Sequence, residues 1–166
     1  MTNKMTELYE LTCKFNDISG ANKELSLKAM REQFLYIDEE VNEIKEALDS
    51  NDLVELLDGT IDTIITAFGL LQKLENLGVD VGQAGIDTAH NNLSKFPNAP
   101  AVAHQTVEKV GIEKGIEAVA TFNEEHGVYV IRNKYTGKVC KPLDFVSNDL
   151  NSYITTGVKE NYVKYN

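Results

Sequence analysis

Met30, Phe34, Ile37, Val41, Ile44 and Leu48 recur every three or four residues, the spacing of one face of an α-helix. The stripe predicts a helix over about 27–49, with Ser26 as its cap and Asp49, Ser50 and Asn51 breaking it. A second stripe, Val54, Leu57, Ile61, Ile64, Ile65, Phe68 and Leu71, predicts a helix over about 52–76 that Gly78 stops. Upstream, a helix near 4–14 gives way to the turn formers Asn16, Asp17, Ser19, Gly20 and Asn22. Downstream, a shorter helix over about 82–94 ends before Pro97, and FPNAPA reads as a linker. Residues 105–120 contain two glycines and suit helix or irregular chain equally. After them the period changes: GVYVIRNKYTGKVCKP alternates on both sides of Tyr135-Thr136-Gly137, which predicts a β-hairpin over about 128–142. The expected fold is mainly α, a four-helix core within 1–98 followed by an extension over 99–166 that carries the hairpin.

Composition narrows the functional classes. The 166 residues suit one domain, or one with a small appendage, and 42% apolar residues can bury a core. Sixteen Lys and Arg against 26 Asp and Glu give a net charge of −10. That argues against nucleic acid or a membrane surface as partner, since both need a basic patch. The first 20 residues hold no apolar signal region, and no run approaches the roughly 18 apolar residues of a membrane span. Cys13 and Cys140 stand far apart without CxxC neighbours, the usage of reduced thiols. The expectation is a soluble cytoplasmic protein.

The placement of the carboxylates is the informative chemistry. At 100° per residue, Glu40 lies roughly 60° and Glu43 roughly 120° from the centre of the Ile37–Leu48 stripe, on one flank. Glu39 points nearly away from the core. On the next helix Glu55, Asp58 and Asp62 follow spacings of three and four and form one acidic ridge beside the Ile61–Phe68 face. Like charges so spaced destabilise a helix by a few tenths of a kcal/mol per pair. A hard cation such as Mg²⁺ or Mn²⁺ would offset that cost, because both favour carboxylate oxygen. A single acidic flank is also what a solvated surface looks like; two, on consecutive helices and both adjoining the apolar face, point to a metal site.

Other chemistry is sparse. His90, His104 and His126 form no HExxH or zinc pattern, and no phosphate-binding glycine loop or G-x-S-x-G elbow occurs.

Four segments resemble the all-α nucleoside triphosphate pyrophosphohydrolases, a superfamily that includes MazG-type enzymes and phosphoribosyl-ATP pyrophosphohydrolase. IDEEVNEIKEAL (37–48) resembles their EExxE signature, and ELLDGTIDTIITAFG (55–69) their second acidic motif, usually Glu-x-x-Asp. NNLSKF (91–96) is similar to an NMSK-like helix ending, and VIRNKYTGKVCKP (130–142) to a DGK-x-x-KP tail. The resemblance implies cleavage of a (deoxy)nucleoside triphosphate to the monophosphate and pyrophosphate, with phosphoribosyl-ATP as an in-class competitor. It also implies Mg²⁺, replaceable by Mn²⁺, on Glu40, Glu43, Asp58 and Asp62. Glu39 or Glu55 would then orient or deprotonate the water, beside the catalytic carboxylates Glu40 and Glu43. Substrate contacts would come from Asn92, Lys95 and Gln33, and the family assembles as dimers or dimer-based tetramers. One departure stands out: with Asp62 as the motif Asp, the motif Glu falls on Gly59. Asp58 is the natural substitute, Glu55-x-x-Asp58 an alternative register. A helical nucleotide-binding or regulatory protein with weak catalysis is the rival reading.

Overall fold

The computed structural model describes residues 3–164, and among them six α-helices and one two-stranded antiparallel sheet. The helices are α1 (Lys4–Ser19), α2 (Leu27–Ser50), α3 (Leu53–Asn76), α4 (Val81–Leu93), α5 (Pro100–Lys114) and α6 (Thr156–Lys164). The strands are β1 (Ala118–Asn123) and β2 (Val128–Asn133). The chain forms two compact units: residues up to Val81 together with those from Asn151 onward, and Gly82–Leu150. The helix expected over 82–94 thus belongs, as α4, almost wholly to the second unit.

In the first unit α2 and α3 form the expected helix pair. Ser26 caps α2, its Oγ accepting from the Ala29 amide at 3.1 Å. Asn51 adopts a left-handed φ of 56° to end α2, and Asp52 Oδ1 accepts from the Val54 and Glu55 amides to start α3. Two residues between the helices force them antiparallel. α1 runs five residues past its expected end. Its polar residues do not break it because they bond across to α3: Asn16 donates to Gln72 Oε1 at 2.9 Å, and Gln72 Nε2 donates to Asp17. Gly20, at φ 77°, is the actual stop. Tyr9 joins the same interface, edge-on to Phe68 and donating to Glu75.

Leu25, Leu77, Val79 and Val158 of α6 make the buried cluster, with Met30, Leu74, Val81 and Tyr153 around it. Leu77 is 1% exposed. Leu77→Ala should therefore cost about 3 kcal/mol in urea unfolding, whereas Ile18→Ala, at a site 79% exposed, should change stability by less than about 0.5 kcal/mol. α6 carries too weak an apolar stripe to be read from sequence.

The second unit corrects the expected hairpin. β2 pairs along its whole length with β1, Ala118 opposite Asn133 and Asn123 opposite Val128. The turn at 134–137 does form, with Asn133 Oδ1 accepting from the Tyr135 and Thr136 amides. Its return arm makes a single bridge, Val139 to Arg132, rather than a strand. Pro142, lacking an N–H, cannot extend the ladder. Residues 105–120 resolve into the end of α5, a left-handed Gly115 at φ 60° and the start of β1. Ala103, Val110, Ala118 and Ile131 form this unit's core.

Candidate functional site

Glycines set the register of α2 against α3. A Cβ on Gly59 would stand 3.3 Å from Ile44 Cγ1 and 3.4 Å from the Ile44 amide nitrogen; one on Gly69 would meet Gln33 Nε2 at 2.8 Å. Both glycines are buried in α3, where the two helices come closest. In this antiparallel register Glu40 lies level with Asp62, and Glu43 with Gly59.

The acidic flanks of the two helices consequently face a common neighbourhood. Glu40 and Asp62 are half-buried; Glu39, Glu43, Glu55 and Asp58 are exposed. Glu40 is the perturbed member. Its carboxyl is pushed above the usual carboxylate range by burial first, then by Glu43, Asp62, Glu39 and Asp58 in decreasing order. Carboxylates from both helices therefore act on Glu40. Glu55 does not contribute to that shift; its amide instead caps on Asp52.

The donor set is four carboxylates without soft ligands, the chemistry of Mg²⁺ or Mn²⁺ rather than zinc or copper. The mutual repulsion felt at Glu40 is what a cation would relieve. Among the described residues, however, no three Asp, Glu, His or Cys side chains converge closely enough to ligate one ion in the conformation seen.

The Gln33 side-chain amide packs against Gly69, and its Nε2 donates to the Thr66 carbonyl at 2.9 Å. It also lines a cavity of about 230 Å³ with Gly20, Glu24, Glu32, Tyr36 and Lys73. Lys73 is a residue the sequence reading missed. It is 3% exposed, and its ammonium donates to the carbonyls of Ala21 and Glu24, tying the α1–α2 loop to α3. Burial lowers its pKa, against the opposing pull of Glu24 and Glu32. A lysine in the last turn of a helix looks in sequence like a solvated terminal charge, so nothing in the pattern marks it.

Asn92 and Lys95 belong to the second unit and are joined to each other, Lys95 Nζ donating to Asn92 Oδ1 at 2.6 Å. Asn16, which flanks the acidic motif, is occupied by Gln72. Cys13 and Cys140 are free thiols, both half-buried. No described helix is long and apolar enough to cross a membrane. No family model matches the chain, and neither a curated protein nor a solved structure matches it.

Proposed function

We propose that this protein is a metal-dependent nucleotide pyrophosphohydrolase that cleaves the α–β phosphoanhydride of a (deoxy)nucleoside triphosphate. The observation that supports the reading is the placement of Glu40 and Asp62, both half-buried and level with each other across α2 and α3, with Glu43, Asp58 and Glu39 near enough to act on Glu40. Glu40, Glu43, Asp58 and Asp62 are the residues to hold Mg²⁺ or Mn²⁺. Bound there, the metal would offset charge on the triphosphate and lower the pKa of water. Glu39 or Glu55 orients the attacking water and takes its proton as the new P–O bond forms. The electron pair of the broken bond leaves on the bridging oxygen, giving monophosphate and pyrophosphate. Gln33, beside a cavity of its own, is the base or sugar contact proposed from α2. Reduced thiols suit a cytoplasmic setting.

Gly59 at the position of the motif Glu favours a second reading, a nucleotide-binding protein with weak catalysis. Incubation with Mg²⁺ and a nucleotide panel that includes phosphoribosyl-ATP separates the two. Pyrophosphate release supports the hydrolase and identifies its substrate. Tight nucleotide binding without any product supports the binder.

The same reading includes a homodimer or dimer-based tetramer. Leu53, Val54, Leu57 and Ile61 recur on one face of α3, and the first three are 77%, 74% and 62% exposed. Leu74 and Leu77, which lie off the Ile61–Phe68 line, are instead covered by the unit's own core. The exposed face is the kind a second copy buries about a two-fold axis. Light scattering during gel filtration should give at least twice 18.5 kDa; the mass of one chain at micromolar concentration would contradict it.

A further inference from the structure

The charge of the chain is unevenly divided. The first unit holds nine Lys and Arg against 18 Asp and Glu; Gly82–Leu150 holds seven against eight. Of those seven, Lys109 pairs with Glu113 and Lys134 with Glu117, Arg132 donates to the Gly137 carbonyl at 2.9 Å, and Lys95, among the described residues, bonds only the neutral Asn92. Lys95, Lys114, Lys138 and Lys141 all line one cavity of about 330 Å³, and no carboxylate lines it with them. Among the described residues none of the four makes an ion pair. They come from four places in the sequence: the end of α4, the end of α5, and two positions in the return arm after β2. Phe145 keeps two of them together, with Lys141 Nζ 4.7 Å and Lys95 Nζ 6.0 Å from its ring centroid.

We propose that this cavity binds a compact phosphorylated small molecule carrying more than one negative charge. Four ammonium groups without a carboxylate partner repel one another around one space, and a polyanion is the ligand that turns that repulsion into attraction. Low-dielectric walls of one sign focus the field on the space between them. Lysine meets phosphate as a point charge, without the fork geometry that carboxylates favour in arginine. The volume lies at the lower end for small-molecule sites, large enough for a phosphorylated metabolite. Polar donors are at hand: Thr136 Oγ1 accepts from the Lys138 amide and retains its own proton to give. Val110, Ile116 and Val139 offer an apolar strip for the remainder of the ligand. The unit as a whole carries no excess of positive charge, seven Lys and Arg against eight Asp and Glu, and four of its cations gather at one cavity, which suits a compact polyanion better than a long nucleic acid.

The inference does not depend on the hydrolase reading, and its test excludes turnover. Inorganic pyrophosphate is titrated calorimetrically into the full chain in EDTA. The expected result is saturable binding that weakens about tenfold or more in Lys114→Gln/Lys138→Gln and is unchanged in Lys109→Gln, whose lysine is already paired. Citrate at the same concentration should bind more weakly. Pyrophosphate should also slow alkylation of Cys140, which lines the cavity, and leave Cys13 unaffected; circular dichroism reports whether the double variant folds. Absence of binding, equal affinity in the double variant, or equal binding of citrate would overturn the proposal.

Discussion

Glu40→Gln and Asp62→Asn should each lower pyrophosphate release by at least about 100-fold while the protein stays folded. Even residues that merely support a metal ligand contribute about 10–100-fold, and these two are placed as ligands. They are also the half-buried members of the set, level with each other across α2 and α3. Stability should move the other way. A carboxyl whose folded pKa is raised binds its proton more tightly in the native state. Its contribution to stability is present below its ordinary pKa and is lost as pH rises through the raised folded value. At neutral pH the charged Glu40 therefore opposes folding of the metal-free protein, and glutamine removes that opposition. The metal-free variant should unfold at a higher urea concentration than the parent at pH 7, with the gap closing as pH falls below the ordinary glutamate range. Near-normal turnover in both variants would remove the metal assignment.

Gly59→Glu is the second change with a large expected effect. In the family pattern a Glu at this position would complete the acidic motif, so motif logic predicts higher activity. The packing predicts the opposite. A Cβ alone already presses on Ile44 at 3.3 Å and on its backbone nitrogen at 3.4 Å, and the backbone cannot move aside as a side chain can. A carboxylate added there would have to be buried between two helices without a cationic partner or force them apart. We expect destabilisation of about 3 kcal/mol or more in urea unfolding, together with loss of activity. A folded Gly59→Glu protein with raised turnover would show that α2 and α3 meet in a different register.

The helix pair was legible because its signals are local. An apolar stripe of period 3.6, a serine before it and the Asp49-Ser50-Asn51 break after it are enough to place α2 and α3 within a residue or two. The acidic flank followed from the same angles. What could not be read depends on partners distant in sequence. Asn16 and Asp17 look like turn residues until Gln72 is brought to them. β1 is a short run whose strand character comes from pairing with one edge of β2, while Lys138-Val139-Cys140 lies along the other edge and makes only the Val139–Arg132 bridge there. The apolar stripes were read as core, yet Phe34, Leu48 and Leu57 stand more than half exposed, because nothing in a stripe tells whether its cover comes from the same chain. The four lysines around the second unit's cavity are spread over 47 positions of sequence and share no motif.

The carboxylates of α2 and α3 are the centre of the functional proposal, and Mn²⁺ binding tests them most directly. Free Mn²⁺ is followed by electron paramagnetic resonance as it is titrated into the parent protein, Glu40→Gln and Asp62→Asn at a fixed ionic strength that screens non-specific attraction. The account predicts tight, saturable uptake by the parent and its loss in both variants. Equal uptake by all three proteins, or none by the parent, would contradict it.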